Sequence, residues 1–233
     1  MKNFNFETIW NLIGPQQNRT KCPKCRALNA YNAFMTLREK GISGDCVELG
    51  VWKGGISAML GKLCEVYNDG KVWSFDSFEG MSKCGDFDMA CDEKSVNLAN
   101  NFDVQLRNFN FDDFLHTCHD IMGLKKETVT PVVGWVDQTL PVTIPLIDQI
   151  KILRIDLDWY EPTKIALESL YEKVVIGGYI ICDDYGYWKG ARKAIDEFRT
   201  QNFINTTIIQ TPKSDGSAQD DIKTGTEHFW IKE

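Results

Sequence analysis

The chain alternates between two patterns. Short apolar runs that suit buried strands give way, after brief loops, to stretches with apolar residues every three or four positions. DCVELGV (45–51), KVWSFDSF (71–78), VTPVVGW (129–135), KILRIDLDW (151–159) and YIICDDY (179–185) read as strands. GISAMLGKLCEVYN (55–68), PTKIALESLYEKV (162–174) and GARKAIDEFRTQN (190–202) read as helices. Upstream, CRALNAYNAFMTLREKG (25–41) reads as an amphipathic helix stopped by Gly41. Its apolar face carries Leu28, Tyr31, Phe34, Met35 and Leu37, to be buried against this chain or a second copy. Residues 1–23 read as an irregular arm. TTIIQT (206–211) and EHFWIKE (227–233) read as strands with no helix between them, so this pair is expected to be antiparallel.

Strands alternating with helices imply an α/β fold, with a mostly parallel sheet covered on both faces. The expectation is seven strands with the final one reversed, in a single domain spanning 1–233. Residues 79–128 break the alternation. That stretch is long, polar and aromatic, with one helix expected at 109–122, and it exceeds an ordinary connection, so it reads as a lid or acceptor-binding insertion.

Composition narrows the function classes. The 233 residues are 43% hydrophobic and 25% charged, which is ordinary globular usage and excludes a disordered chain. The net charge is -7 and no run of Lys or Arg exceeds two residues. A basic face for nucleic acid or an anionic membrane is therefore not expected. MKNFNFETIW is too polar for a signal peptide, and no apolar run is long enough to span a membrane. The expected compartment is cytoplasmic, with the eight cysteines as reduced thiols. Cys22 and Cys25 form a C-x-x-C pair, but no second ligand pair completes a structural zinc site.

Candidate chemistry gathers at the strand ends. VELGVWKGG sets Glu48, Gly50 and Gly54 at a strand-to-helix turn, where open α/β sheets bind ligands. Dinucleotide turns carry glycine at the position occupied here by Trp52, so a pyrophosphate is disfavoured. A nucleoside without phosphates, such as S-adenosylmethionine (SAM), needs no such space, and Glu48 suits a cationic amino acid or sulfonium. Asp76 closes the second strand, where an acid accepts hydrogen bonds from ribose hydroxyls.

LRIDLDWYEPT and IICDDYG add two acid pairs, Asp156 with Asp158 and Asp183 with Asp184, at the ends of consecutive strands. Four gathered carboxylates repel one another unless a cation neutralises them, and Mg²⁺ (or Mn²⁺) takes oxygen ligands of this kind. Arg154 is expected to point to the opposite side of its strand from the surroundings of Asp183. His116, His119 and His228 read as surface or satisfied histidines. Trp52, Trp135, Trp159 and Trp188 all fall at motif ends, where aromatic faces stack on adenine or a sugar.

GDCVELGVWKGG, WSFDSFEG, VVGWVDQTLP, LRIDLDWYEPT and GGYIICDDYG, in this order, resemble the macrocin O-methyltransferase family over about residues 25 to 200. The resemblance implies a class I SAM-dependent methyltransferase fold and SAM- and Mg²⁺-dependent methylation of sugar hydroxyls. It places SAM above the Gly50 turn, with Ser57, Ser77 and Trp135 joining the contacts above. It places the metal on Asp156, Asp183 and Asp184; a nearby carboxylate is expected to take the proton, with Asp158 the candidate and Asp156 close behind. The family often carries Glu-Asp before Thr-Leu-Pro; here Asp137-Gln138 stands there, so acceptor contacts are expected to differ. The acceptor expected is a sugar, free, nucleotide-activated or glycan-linked.

Three other readings use the same residues. Asp156-Leu157-Asp158 fits the D-x-D pattern of a metal-dependent glycosyltransferase, but leaves Gly50 and Asp76 unexplained. A NAD-dependent oxidoreductase is opposed by Trp52. A non-catalytic module of the same fold would have no use for four close acids.

Overall fold

The computed structural model describes residues 5–88, 109–213 and 227–233. Seven strands form one sheet in the order β3-β2-β1-β4-β5-β7-β6. They are β1 (Asp45–Leu49), β2 (Val72–Asp76), β3 (Val129–Val133), β4 (Ile150–Ile155), β5 (Val174–Cys182), β6 (Ile209–Gln210) and β7 (His228–Ile231). β1 lies between β2 and β4, and the pairs from β3 to β5 are parallel. β7 runs antiparallel to both β5 and β6. This is the expected sheet. β6 is shorter than expected because both its residues are exposed at the sheet's edge, where no apolar burial extends the pairing.

The pleat sends alternate residues to opposite faces, and each face has its own core. Cys46 and Ile152 join Phe34, Met59 and Ile9 on one side. Val47, Leu49, Leu153 and Ile155 join Leu140, Leu167 and Phe198 on the other. Each fully buried Leu or Phe side chain contributes about 1.5–3 kcal/mol relative to an exposed one.

The first face is covered by α1 (Phe6–Ile13), α2 (Lys24–Glu39) and α3 (Gly55–Tyr67). In α2, Phe34 and Leu37 are fully buried, and Leu28, Tyr31 and Met35 pack against the same core, so the apolar face is covered by its own chain. α1 corrects the reading of 1–23 as an irregular arm. Asn5 caps it by accepting from the Thr8 N–H at 3.0 Å, and Phe6, Ile9 and Ile13 make its buried stripe. α4 (Phe111–Leu115) continues into a π-helical turn through Ile121, within the 109–122 helix expected. Residues 89–108 of the expected lid lie outside the described residues.

The second face is covered by α5 (Val136–Thr143), α6 (Tyr160–Leu170) and α7 (Lys189–Gln201). α5 was not expected, because Pro141 interrupts an already short pattern. Among the described residues, no helix is long and apolar enough to cross a membrane.

One contact fixes the sheet's working edge. Gly50, just past β1, has φ 82°, and a Cβ there would fall 1.8 Å from the Asp156 carbonyl oxygen. Gly41 also has a left-handed φ, 68°, but nothing lies within 4 Å of its would-be Cβ. Gly41→Ala should therefore cost only the backbone strain, about 1–2 kcal/mol. Gly50→Ala adds a backbone collision and should cost about 3 kcal/mol or more. Urea unfolding of the two variants checks this; equal losses would mean that the β1 turn does not rest on Asp156.

Candidate active site

A cavity of about 500 Å³ opens at the carboxyl ends of β1, β2, β4 and β5. Its two halves are built from different chemistry. The first surrounds the β1–α3 turn. Gly50 and Gly54 take positive φ, and the Gly54 backbone lies under the Phe114 ring, where a Cβ would come within 2.5 Å. Between them Trp52 is held at φ 49°, a left-handed conformation that stores strain in a non-glycine residue. Its ring packs against Phe109, with centroids 6.1 Å apart.

Asp76 ties this turn to β2. Its Oδ2 accepts from the Val51 and Trp52 N–H groups, both at 2.9 Å, and its Oδ1 accepts from the Phe78 N–H at 2.8 Å. Burial raises the Asp76 carboxyl above its ordinary value, against the pull of these donors. An ionised carboxylate has about four acceptor positions, so Oδ1 keeps capacity for a ligand hydroxyl.

Of the residues expected around a cofactor, Gly50, Trp52, Asp76, Ser77 and Trp135 line the cavity. Glu48, Gly54 and Ser57 do not; they form its support. Glu48 is 2% exposed, accepts from Ser57 Oγ at 2.5 Å and pairs with Arg154 at 3.1 Å. Ser57 in turn accepts from Ser74 Oγ at 2.8 Å. Burial lifts the Glu48 carboxyl to about 7.

The second half is acidic. Asp156, Asp158 and Asp184 each offer a carboxylate oxygen, and the three oxygens lie within 4.8 Å of one another. Asp156 and Asp158 do not share a face as successive strand residues, because β4 ends at Ile155. Asp158 turns back instead at φ 60°. Its N–H donates to Asp184 at 2.9 Å, and Trp188 Nε1 donates to its Oδ1 at 2.6 Å. Desolvation in the cleft and then the neighbouring acids push Asp156 up to about 6 and Asp158 up to about 8. Asp184 is raised well above its ordinary value, by burial first and Asp158 next. Three crowded oxygen donors that resist ionising together fit a hard divalent cation.

Asp183, the third acid expected to hold a metal, lies beside this group and faces cations of the chain. Its carboxylate is engaged by Arg154 on one oxygen and Arg26 on the other. The expected orientation of Arg154 is corrected, and pleat parity gives the reason. Arg154 stands opposite Glu48 in the β1 register and opposite Ile181 in the β5 register. Asp156 and Asp183, two residues beyond Arg154 and Ile181, therefore share its face. Arg154 Nη1 also reaches Asp156 at 2.9 Å. Glu227, fully buried, completes the network 3.9 Å from Arg154 Nε and accepts from Asn29 and Thr211.

Lys21, Cys22 and Arg26, from the segment before α2 and its first turn, also line the cavity. Arg26 left a readable trace, since it falls on the buried stripe of α2 with Ala30, Ala33 and Leu37. A charge on an apolar stripe points to a buried partner. The four tryptophans at motif ends all line the cavity, and none of the three histidines does.

Residues 79–88 form a wall over the acids. Trp159 Nε1 donates to the Ser82 carbonyl at 2.9 Å, and its ring meets Trp188 at 4.9 Å between centroids. Asp88 seats the wall on α6, accepting from the Tyr160 N–H at 2.8 Å and from the Gly85 N–H at 2.7 Å.

The chain is similar to known proteins over most of its length. It is 36% identical to demethyldecarbamoylnovobiocin O-methyltransferase of Streptomyces niveus over 176 residues. That match spans 72% of this chain and 63% of the relative, just short of two thirds of its length. It is 32% identical over 190 residues to 8-demethyl-8-(2,3-dimethoxy-alpha-L-rhamnosyl)-tetracenomycin-C 4'-O-methyltransferase of Streptomyces olivaceus, covering 78% of this chain and 68% of that one. The solved O-methyltransferase NovP superposes with a TM-score of 0.76 at 28% identity, over 93% of this chain and 83% of its own. The strand order with its reversed β7 is that of the class I SAM-dependent O-methyltransferases. The sequence profile of Macrocin-O-methyltransferase (TylF) matches residues 10–214, and the chain belongs to that family.

Proposed function

We propose that this chain is a SAM-dependent O-methyltransferase, assisted by a divalent cation, that methylates a sugar hydroxyl. The observation that carries the reading is the packing of Gly50 on Asp156, which joins the nucleoside half of the cavity to the acid half. A methyl donor seated over the glycine turn has its reactive end beside the acids. The activities of the two relatives, one of them on a rhamnosyl group, support a hydroxyl acceptor of this class. The cytoplasm is the compartment we assign, because Cys22, Cys46, Cys64, Cys84, Cys118 and Cys182 are free thiols.

Each residue then has a task. Asp76 receives a ribose hydroxyl, and Ser77 and Trp135 border the adenosine. Glu48, through Ser57 and Arg154, keeps the floor fixed. Asp156 and Asp184 are the residues that would hold Mg²⁺ or Mn²⁺, which when bound supplies Lewis acidity that lowers the pKa of a coordinated hydroxyl, and Asp158 beside them is left to take a proton. The wall of Met81, Trp159 and Trp188 excludes water from the acids and gives a sugar an apolar surface. In the displacement, a lone pair on the sugar oxygen forms the new O–C bond while the C–S bond breaks. The bonding electrons move to sulfur, leaving neutral S-adenosylhomocysteine (SAH). The hydroxyl proton passes to the Asp158 carboxylate.

Calorimetric titration with SAH, with Mg²⁺ and with chelator, tests the pocket without knowing the acceptor. Micromolar binding in both conditions is expected, while silence toward SAH with Mg²⁺-dependent binding of a nucleotide-sugar would favour the glycosyltransferase reading. Asp76→Ala should weaken SAH by about 1–3 kcal/mol, since it removes a buried acceptor. Unchanged affinity would take Asp76 out of the ligand's reach.

The acid triad has its own test. Asp184→Asn should weaken Mn²⁺ binding about tenfold or more, read by the paramagnetic signal of free Mn²⁺, with SAH affinity within about threefold of wild type. Retained Mn²⁺ affinity would move the ion elsewhere.

A further inference from the structure

The segment before α2 crosses the cavity and is fixed at both ends. At one end the Arg19 carbonyl accepts from the Gly55 N–H at 3.0 Å, and a Cβ on Gly55 would lie 2.7 Å from that oxygen. At the other, Arg26 pairs with Asp183 beyond β5. Between them Lys21 is exposed, lines the cavity and lies over the Trp52 ring, its Nζ 4.8 Å from the centroid.

Charge around the cavity is lopsided. Five aspartates line it (Asp76, Asp156, Asp158, Asp183 and Asp184), against two cations, Lys21 and Arg26. Arg26 is committed to Asp183. The amino-acid tail of SAM carries an ammonium and a sulfonium, which suit the acids, and one carboxylate, which they repel. The N-terminus of α3 is a natural place for such an anion, but the Gly55 N–H there is already taken by Arg19. Lys21 is the lining cation left to meet a carboxylate near Trp52.

From this we infer that Lys21 is the counter-ion of the donor's α-carboxylate, so that the segment 19–26 selects the amino-acid end of SAM. The inference rests on the methyltransferase reading above. It gives the segment outside the strand-and-helix alternation a direct part in donor recognition, with the Trp52 indole as the surface along which the lysine reaches the tail.

The test compares two ligands that share the adenosine thioether and differ in the tail. SAH has the amino acid; 5′-methylthioadenosine lacks it. Calorimetry on wild type, Lys21→Ala and Lys21→Arg, at low and high salt, separates the contributions. Lys21→Ala should weaken SAH about tenfold, the size of a charge-assisted contact partly shielded from water, and leave methylthioadenosine within about twofold. Lys21→Arg should retain most of the SAH affinity, and the difference between Lys21→Ala and wild type should shrink at high salt. Equal losses for the two ligands would reduce Lys21 to a support for Trp52 and overturn the inference. Wild-type SAH affinity in Lys21→Ala would overturn it alone and leave the methyltransferase reading standing. Failure of wild type to bind either ligand would overturn both.

Discussion

Arg154 is 1% exposed and touches carboxylates contributed by three neighbouring strands: Glu48 from β1, Asp156 beyond β4 and Asp183 beyond β5. A charge this deep has lost its hydration and is tolerated only because its partners surround it. The converse holds for the acids. Without the guanidinium, Glu48, Asp156 and Asp183 would crowd one face of the sheet with, among the described residues, no paired counter-charge except Arg26. Replacing such a network by apolar residues of the same shape is often harmless to stability, whereas removing one member is not. Its value here lies in position. It fixes the side chains of three strand ends in one arrangement, and the cavity takes its shape from that arrangement.

Sheet order does the rest. The chain reverses its direction of winding at β1, which has β2 on one side and β4 on the other. Ligands in open α/β sheets sit at such a point. The β2 side supplies Asp76, which holds the β1 turn by its backbone donors. The β4 side supplies Asp156, whose carbonyl lies against Gly50. A glycine therefore marks where the two halves meet, and no larger residue fits there. The N-terminal elements are part of the same construction, since α2 delivers Arg26 to Asp183 and Asn29 to Glu227.

Much of this was legible in the sequence, for identifiable reasons. The buried strands announce themselves as apolar runs, and the glycines and acids at their ends follow the local rules of strand-to-helix turns. Parity across strands was not legible. Whether Arg154 faces Asp183 depends on the β4–β5 register, and β5 begins five residues earlier than its apolar run suggests, with a register shift near Ile150. The same information separates Glu48 and Ser57, which lie beneath the cavity, from Asp76, which faces it. α1 was legible but overlooked: Asn5, the apolar positions 6, 9 and 13, and Pro15 after Gly14 are a complete helix signature. Pro141 hid α5.

Asp183 and Asp184 show how one step of backbone gives two surroundings. They are adjacent and chemically identical, yet the end of β5 turns them to different neighbours. Asp183 falls on the face of Arg154 and is neutralised by two guanidinium groups. Asp184 joins Asp156 and Asp158 and meets no cation of its own among the described residues. Six carboxylates thus share two arginines at this edge, and the shortage is not spread evenly. Glu48 and Glu227, deep in the protein, are lifted to about 7 by burial, so near neutrality each is partly protonated. At the cavity surface Asp158 is raised to about 8 and Asp184 well above its ordinary value, so the two acids that no arginine pairs with among the described residues resist ionising most. The acid pairs of the sequence are the visible part of this uneven sharing, and a cation from solution that met them would relieve it.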